Sequence, residues 1–137
     1  MKLGKASAYA VFATAYIAAN QEAGPVPGRD VAASCGIPAE YLLKVLQQLV
    51  RSRVLKSERG RAGGFLLREP ASQTTLLQVL EGVEGPLGVE LSVTPDMKVP
   101  PATIRRVQSV IEEINASIKS ALSRTTVADF IEHRRAQ

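Results

Sequence analysis

The sequence predicts a mainly α-helical chain with one small β-hairpin, and three observations predict it. Two short helical patterns, the second longer, are joined across Cys35-Gly36-Ile37-Pro38, a turn of small and helix-breaking residues. Directly after them, the strand-like runs 54–57 and 65–68 flank Glu58-Arg59-Gly60-Arg61-Ala62-Gly63-Gly64, the pattern of a hairpin with a flexible basic tip. Farther on, Ile104, Val107, Ile111, Ile114 and Ile118 alternate three- and four-residue steps in a heptad-like seam. These parts compose a winged helix-turn-helix domain over 1–84, a loop over 85–101, and a long dimerisation helix with a C-terminal tail over 102–137.

The first helix is expected over 3–20, where Tyr9, Phe12, Ala13, Tyr16 and Ile17 recur at helical spacing and define an inward side. A basic start and a run of small residues give this stretch a superficial likeness to a secretory signal. Lys5, Ser7, Thr14 and Asn20 interrupt the run, and no block of Leu or Val forms an export core, which favours a structural helix. Gly24-Pro25-Val26-Pro27-Gly28 then breaks the chain. A short helix follows over 29–34 with Val31 and Ala32 inward; Gly36 suits a positive-φ C-cap and Pro38 the first turn of the next helix, 38–51.

That helix separates into two faces. At about 100° per residue, Leu42, Val45, Leu46 and Leu49 gather on one side, and Glu40, Lys44, Gln47 and Arg51 on the other. Long polar side chains that donate and accept hydrogen bonds are what reading base edges in a major groove requires. A solvated surface with Glu40 and Lys44 as an i,i+4 pair has the same pattern. The hairpin that follows favours the DNA reading. The glycines at its tip, Gly63 and Gly64 among them, allow the backbone to approach phosphates, and Arg59 or Arg61 suits a narrowed minor groove.

After Pro70, Thr75 and Gln78 form a capping box ahead of Leu76, Leu77, Val79, Leu80 and Val83, and Gly85-Pro86 ends that helix. Residues 85–101 carry six of the chain's prolines and glycines without periodicity, and no Cys or His. The last long helix, 102–123, adds Leu122 to the apolar stripe, giving Ile104, Val107, Ile111, Ile114, Ile118 and Leu122 as the expected dimer interface. Packing onto its own domain, with the first helix as partner, is the alternative. Thr125 to Phe130 reads as a capped turn, and 132–137 as a polar tail.

Composition narrows the function. One Cys and one His in 137 residues preclude an intrachain disulfide and a metal centre built from Cys and His alone, so no metal or cofactor is expected. A Ser–His–Asp triad would depend on His133, near the C-terminus, and neither clustered carboxylates nor a nucleotide-binding glycine motif is present, so an enzyme is not expected. Lys and Arg number 17 against 13 Asp and Glu, a charge of +4 that suits a polyanionic partner. No stretch approaches the roughly 20 apolar residues of a membrane span, and a cytoplasmic location is expected.

The order of these parts resembles the bacterial winged helix-turn-helix regulators of the IscR/NsrR/CymR family. Met1-Lys2-Leu3 with Tyr9-Ala10, Glu22 to Val26, Gly36-Ile37-Pro38 with Tyr41-Leu42, Leu46 and Leu49 carry the resemblance through the helix-turn-helix. Arg59-Gly60, Gly63-Gly64-Phe65, Leu77, Val79, Glu81 to Gly85 and Thr126 to Asp129 extend it across nearly the whole chain. The resemblance implies a homodimer on a near-palindromic double-stranded DNA operator, with Tyr41, Lys44, Gln47, Gln48 and Arg59 as contacts. Many members hold an iron–sulfur cluster through three cysteines in the loop before the long helix. Here that loop has none, which implies a cluster-free member whose effector, a small molecule or a protein, is undefined. Cys35, just before the recognition helix, is either a small apolar filler or a redox-sensitive thiol. A winged-helix docking module without specific DNA binding is the competing function.

Overall fold

A computed structural model describes residues 2–136, with side chains through Ile131. Helix α1 (Lys5–Asn20) leads through a 3₁₀ turn to α2 (Gly28–Cys35) and α3 (Ala39–Arg51). The hairpin β1 (Leu55–Glu58) and β2 (Gly64–Leu67) follows, then α4 (Leu76–Glu84), α5 (Pro101–Arg124) and α6 (Val127–Ala136). The chain is mainly helical with one two-stranded antiparallel sheet, as the sequence predicts.

The core lies where α1, α2, α3 and α4 meet behind the hairpin. Leu42, Val45, Leu46 and Leu49 of α3 are buried against Val31 and Ala32 of α2 and Ala10, Ala13 and Ile17 of α1. Each large aliphatic among them contributes about 2 kcal/mol by leaving water. Helix α1 differs from expectation in its inward side. Ser7, Ala10, Ala13, Thr14 and Ile17 are buried, whereas Phe12 is 57% exposed and the tyrosines lie on the flank. Small residues face the core because α4 packs closely there, with the Ser7 hydroxyl donating to Glu84 at 2.6 Å.

Both ends of the helix-turn-helix close by defined motifs. Gly36 sits at φ 66°, and the Ile37 N–H reaches back to the Ala32 carbonyl at 3.0 Å. Helix α3 closes the same way with a non-glycine residue at the left-handed position: Arg53 has φ 66°, and Val54 N–H donates to Leu49 O at 2.9 Å. That commitment of Val54 moves the strands by one residue from their expected spans. β1 starts at Leu55, and the register pairs Leu55 with Leu67 and Glu58 with Gly64. Pro38 likewise caps α3 from outside it, and Gly28, expected in the breaker, opens α2.

Thr75 and Gln78 form the expected capping box, with Thr75 N–H to Gln78 Oε1 at 2.8 Å and Gln78 N–H to Thr75 Oγ1 at 3.1 Å. The C-terminal segment returns to this end of α4: Leu76 N–H donates to Thr125 O and Val127 N–H to Thr74 O. One expectation fails here. The segment after Phe130 continues as α6 rather than as a tail, and α6 packs on α1. Val127, buried on α6, anchors that packing. The side chains of 132–137, His133 among them, lie outside the described residues.

Helix α5 packs on α4 and buries none of its residues. Its apolar seam is split. Ile104, Ile111, Ile118 and Leu122 are half-covered by the chain's own domain, whereas Val107, Val110 and Ile114 stay exposed. The loop before it is fastened to both helices: Leu87 N–H donates to Glu81 Oε2 of α4 at 2.8 Å, and Asn115 of α5 accepts from Val89 N–H at 2.7 Å and donates to Val89 O at 3.0 Å. Farther along, the Thr94 hydroxyl donates to Asp96 and holds that exposed carboxyl below the usual carboxylate range.

Candidate nucleic-acid interface

The buried quartet of α3 leaves about half its circumference facing solvent. Glu40, Lys44, Gln47 and Arg51 are all exposed there, with Gln48 half-buried. Tyr41, 44% exposed, borders this surface on the side of α1, where its ring meets Tyr9 edge-on, centroids 5.4 Å apart at 83°. The edge-on contact holds the Tyr41 ring against α1.

On the opposite border, nearer the hairpin, stand Ala39 and Leu43, both exposed. They line a groove with Pro27, Gly28 and Phe65, between the start of α2 and the wing. Neither is among the residues expected from sequence to face outward, although their angular positions, one turn apart and outside the buried arc, are legible there.

The wing adds Lys56, Arg59 and Arg61, all exposed. Arg59 and Arg61 lie in the tip between Glu58 and Gly64, where Gly60 has φ 111°. Gly63 and Gly64 have a local reason to be glycine. A Cβ on Gly63 would overlap the Glu58 carbonyl oxygen and come within 2.9 Å of Gly60 O. One on Gly64 would overlap the Val26 carbonyl and lie 2.7 Å from Pro27 N. This closeness arises because Val26 pairs with Phe65 as a third, one-residue strand: Val26 N–H to Phe65 O at 2.9 Å and Phe65 N–H to Val26 O at 2.8 Å. The wing is thereby tied at its root to the segment entering α2.

The charge on this surface is not internally cancelled. Among the described residues the one ion pair within 4.0 Å is Arg29–Asp30, at 3.9 Å and exposed. Lys44, Arg51, Arg59 and Arg61 are exposed on α3 and the wing and outnumber the exposed Glu40 and Glu58 beside them, a cationic excess that suits phosphate binding.

Cys35 is half-buried at the end of α2 and packs against the core, its sulfur 4.0 Å from Phe12 O. No group of three or more His, Cys, Asp or Glu able to hold a metal occurs among the described residues. Nor, among them, is any helix long and apolar enough to cross a membrane.

A family model described as Rrf2, iron-dependent transcriptional regulator, matches residues 3–133. A Mycobacterium tuberculosis protein designated an HTH-type transcriptional regulator is 30% identical over 129 residues, which is 94% of this chain and 80% of that protein. The Escherichia coli HTH-type transcriptional regulator IscR is 37% identical over 84 residues, 61% of this chain and 52% of IscR. Among solved structures, CymR, the global cysteine regulator of B. subtilis, is similar with a TM-score of 0.77 at 23% identity, over 97% of this chain and 98% of that one. T. potens IscR is similar with a TM-score of 0.76 at 25% identity, over 100% and 91%.

Proposed function

This chain belongs to the Rrf2 family of DNA-binding transcriptional regulators, and we propose that it acts as a homodimeric repressor on a near-palindromic operator without an iron–sulfur cluster. Each subunit lays α3 in a major groove and its wing in the flanking minor groove, with half-sites about one helical turn apart, roughly 34 Å. Glu40, Tyr41, Lys44, Gln47, Gln48 and Arg51 serve the first contact; Arg59 and Arg61, with the backbone at Gly63 and Gly64, serve the second. The observation that carries this reading is the exposed half of α3, polar and cationic and lying beside a basic wing braced against the same body.

Dimerisation rests on the uncovered side of α5. A 24-residue helix with no fully buried residue in its own subunit, and with Val107, Val110 and Ile114 exposed along one line, gains most from a second copy. Repression requires nothing of the chain beyond occupying its operator. The family model's iron has no matching donor set here. The segment 85–101, where related proteins carry cluster cysteines, contains no thiol, and the chain's one cysteine is at the end of α2. One thiolate does not ligate a cluster, so regulation must come by another route.

Selection of bound fragments from random or genomic DNA, followed by titration at several salt concentrations, tests the reading. A shared two-fold motif, a steep fall of affinity with salt and a large gap over random DNA are expected. Binding that is equal on all sequences, or insensitive to salt, would refute it and favour a protein-docking role.

A further inference from the structure

We infer that Leu43, with Ala39 one turn before it, reads the 5-methyl group of a thymine at a fixed position in each operator half-site. This rests on the DNA-binding role of α3 proposed above and names one base it selects. Leu43 is 48% exposed, whereas Leu42 and Leu46 of the adjoining core arc are 1% and 0% exposed. It is thus an outward residue on a helix whose remaining outward residues are almost all polar or charged.

The chemistry leaves a narrow choice of partner. Leucine and alanine side chains neither donate nor accept hydrogen bonds, so they distinguish bases only by apolar contact. The thymine methyl is the apolar group that the major groove presents; the other edge groups are donors and acceptors. Placement agrees with this. Leu43 is one helical turn from Gln47 and adjacent to Lys44, so it meets the groove floor in the same register as side chains suited to bases and phosphates. The wing and Arg29 flank it on the other side, across the groove shared with Gly28, Gly64 and Phe65. The apolar strip is therefore continuous with the cationic DNA-facing surface and bordered by it.

The test is substitution of deoxyuridine for thymine, one position at a time, in the operator recovered by selection. The exchange removes the methyl and keeps every hydrogen-bonding group. At one thymine per half-site, wild-type affinity should fall about fourfold, and about fifteenfold when both symmetry-related thymines are replaced, the worth of one buried methyl per subunit. Leu43→Ala should bind thymine and deoxyuridine operators equally at that position, and Leu43→Met should keep the discrimination. Thermal unfolding of both variants confirms that they fold. Sequence-specific binding indifferent to every thymine methyl, or the same methyl preference retained in Leu43→Ala, would overturn the inference alone. Absence of any sequence preference would overturn the operator reading and this inference with it.

Discussion

Replacing Gly64 with alanine should loosen the wing while leaving the polar and cationic side chains of α3 and the wing in place. The added methyl would overlap the Val26 carbonyl and lie 2.7 Å from Pro27 N. All of these are backbone atoms, which cannot rotate aside as a side chain would, so the strand must retreat from Val26. Retreat breaks the reciprocal Val26–Phe65 pair, with its bonds of 2.9 and 2.8 Å. Two such bonds contribute about 2 kcal/mol, and residual crowding adds about 1 kcal/mol, for a loss on the order of 3 kcal/mol. For a chain of this length that lowers Tm by on the order of 10 °C. Thermal and urea unfolding followed by circular dichroism measure it, the urea slope staying near wild type if only the folded state has changed. Gly4, where an added methyl meets nothing within 4 Å, is the control for the substitution itself. Operator affinity of Gly64→Ala should also fall, below its unfolding temperature, because the wing is no longer braced. A Gly64→Ala protein that unfolds within 2 °C of wild type would show that the Val26 strand does not press on the wing as described.

Gly82 offers a double-mutant test of helix packing. Its added methyl would lie 2.7 Å from Ser52 Oγ and 3.2 Å from a Leu49 methyl, so Gly82→Ala alone should cost about 1 kcal/mol despite better helix propensity. Adding Ser52→Ala removes the nearer contact and should restore or exceed wild-type stability, read by urea unfolding. Thr75→Ala should cost about 1 kcal/mol by breaking the capping box, with operator affinity unchanged once the protein is folded. Ile114→Glu, at a position 41% exposed in one subunit, should leave the subunit folded but place a charge in the dimer contact. About 3 kcal/mol of lost association is expected, enough to give monomers by light scattering and weak operator binding; an unchanged dimer would mean α5 is not the interface.

Much of the helix-turn-helix was legible in the sequence, because its information is local. The spacing of Leu42, Val45, Leu46 and Leu49 states which side of α3 is buried, and Gly36 and the Thr75–Gln78 pair announce helix ends through bonds spanning at most five residues. The basic, glycine-rich tip announced a hairpin for the same reason. The site is less completely legible. Leu43 and Ala39 can be placed on a helical wheel, yet only the structure shows them uncovered and bordering the wing.

Other features depended on which segments meet. Periodicity says that α1 has an apolar side, but the close approach of α4 turned its small residues inward and left Phe12 out. The seam on α5 reads as one stripe, and contact with α4 divides it into a covered and an uncovered part. Gly64 reads as a hairpin glycine, but its need arises from Val26, far away in the chain. Continuation of α6 along α1, in place of a tail, depends on Val127 finding a core to enter. Sequence by itself determined helices α1 to α5, the hairpin and the polar, uncovered face of α3, since these follow from spacing within one element. Tertiary structure decided what each face touches, because coverage and close approach are set by atoms that the chain brings together from remote positions.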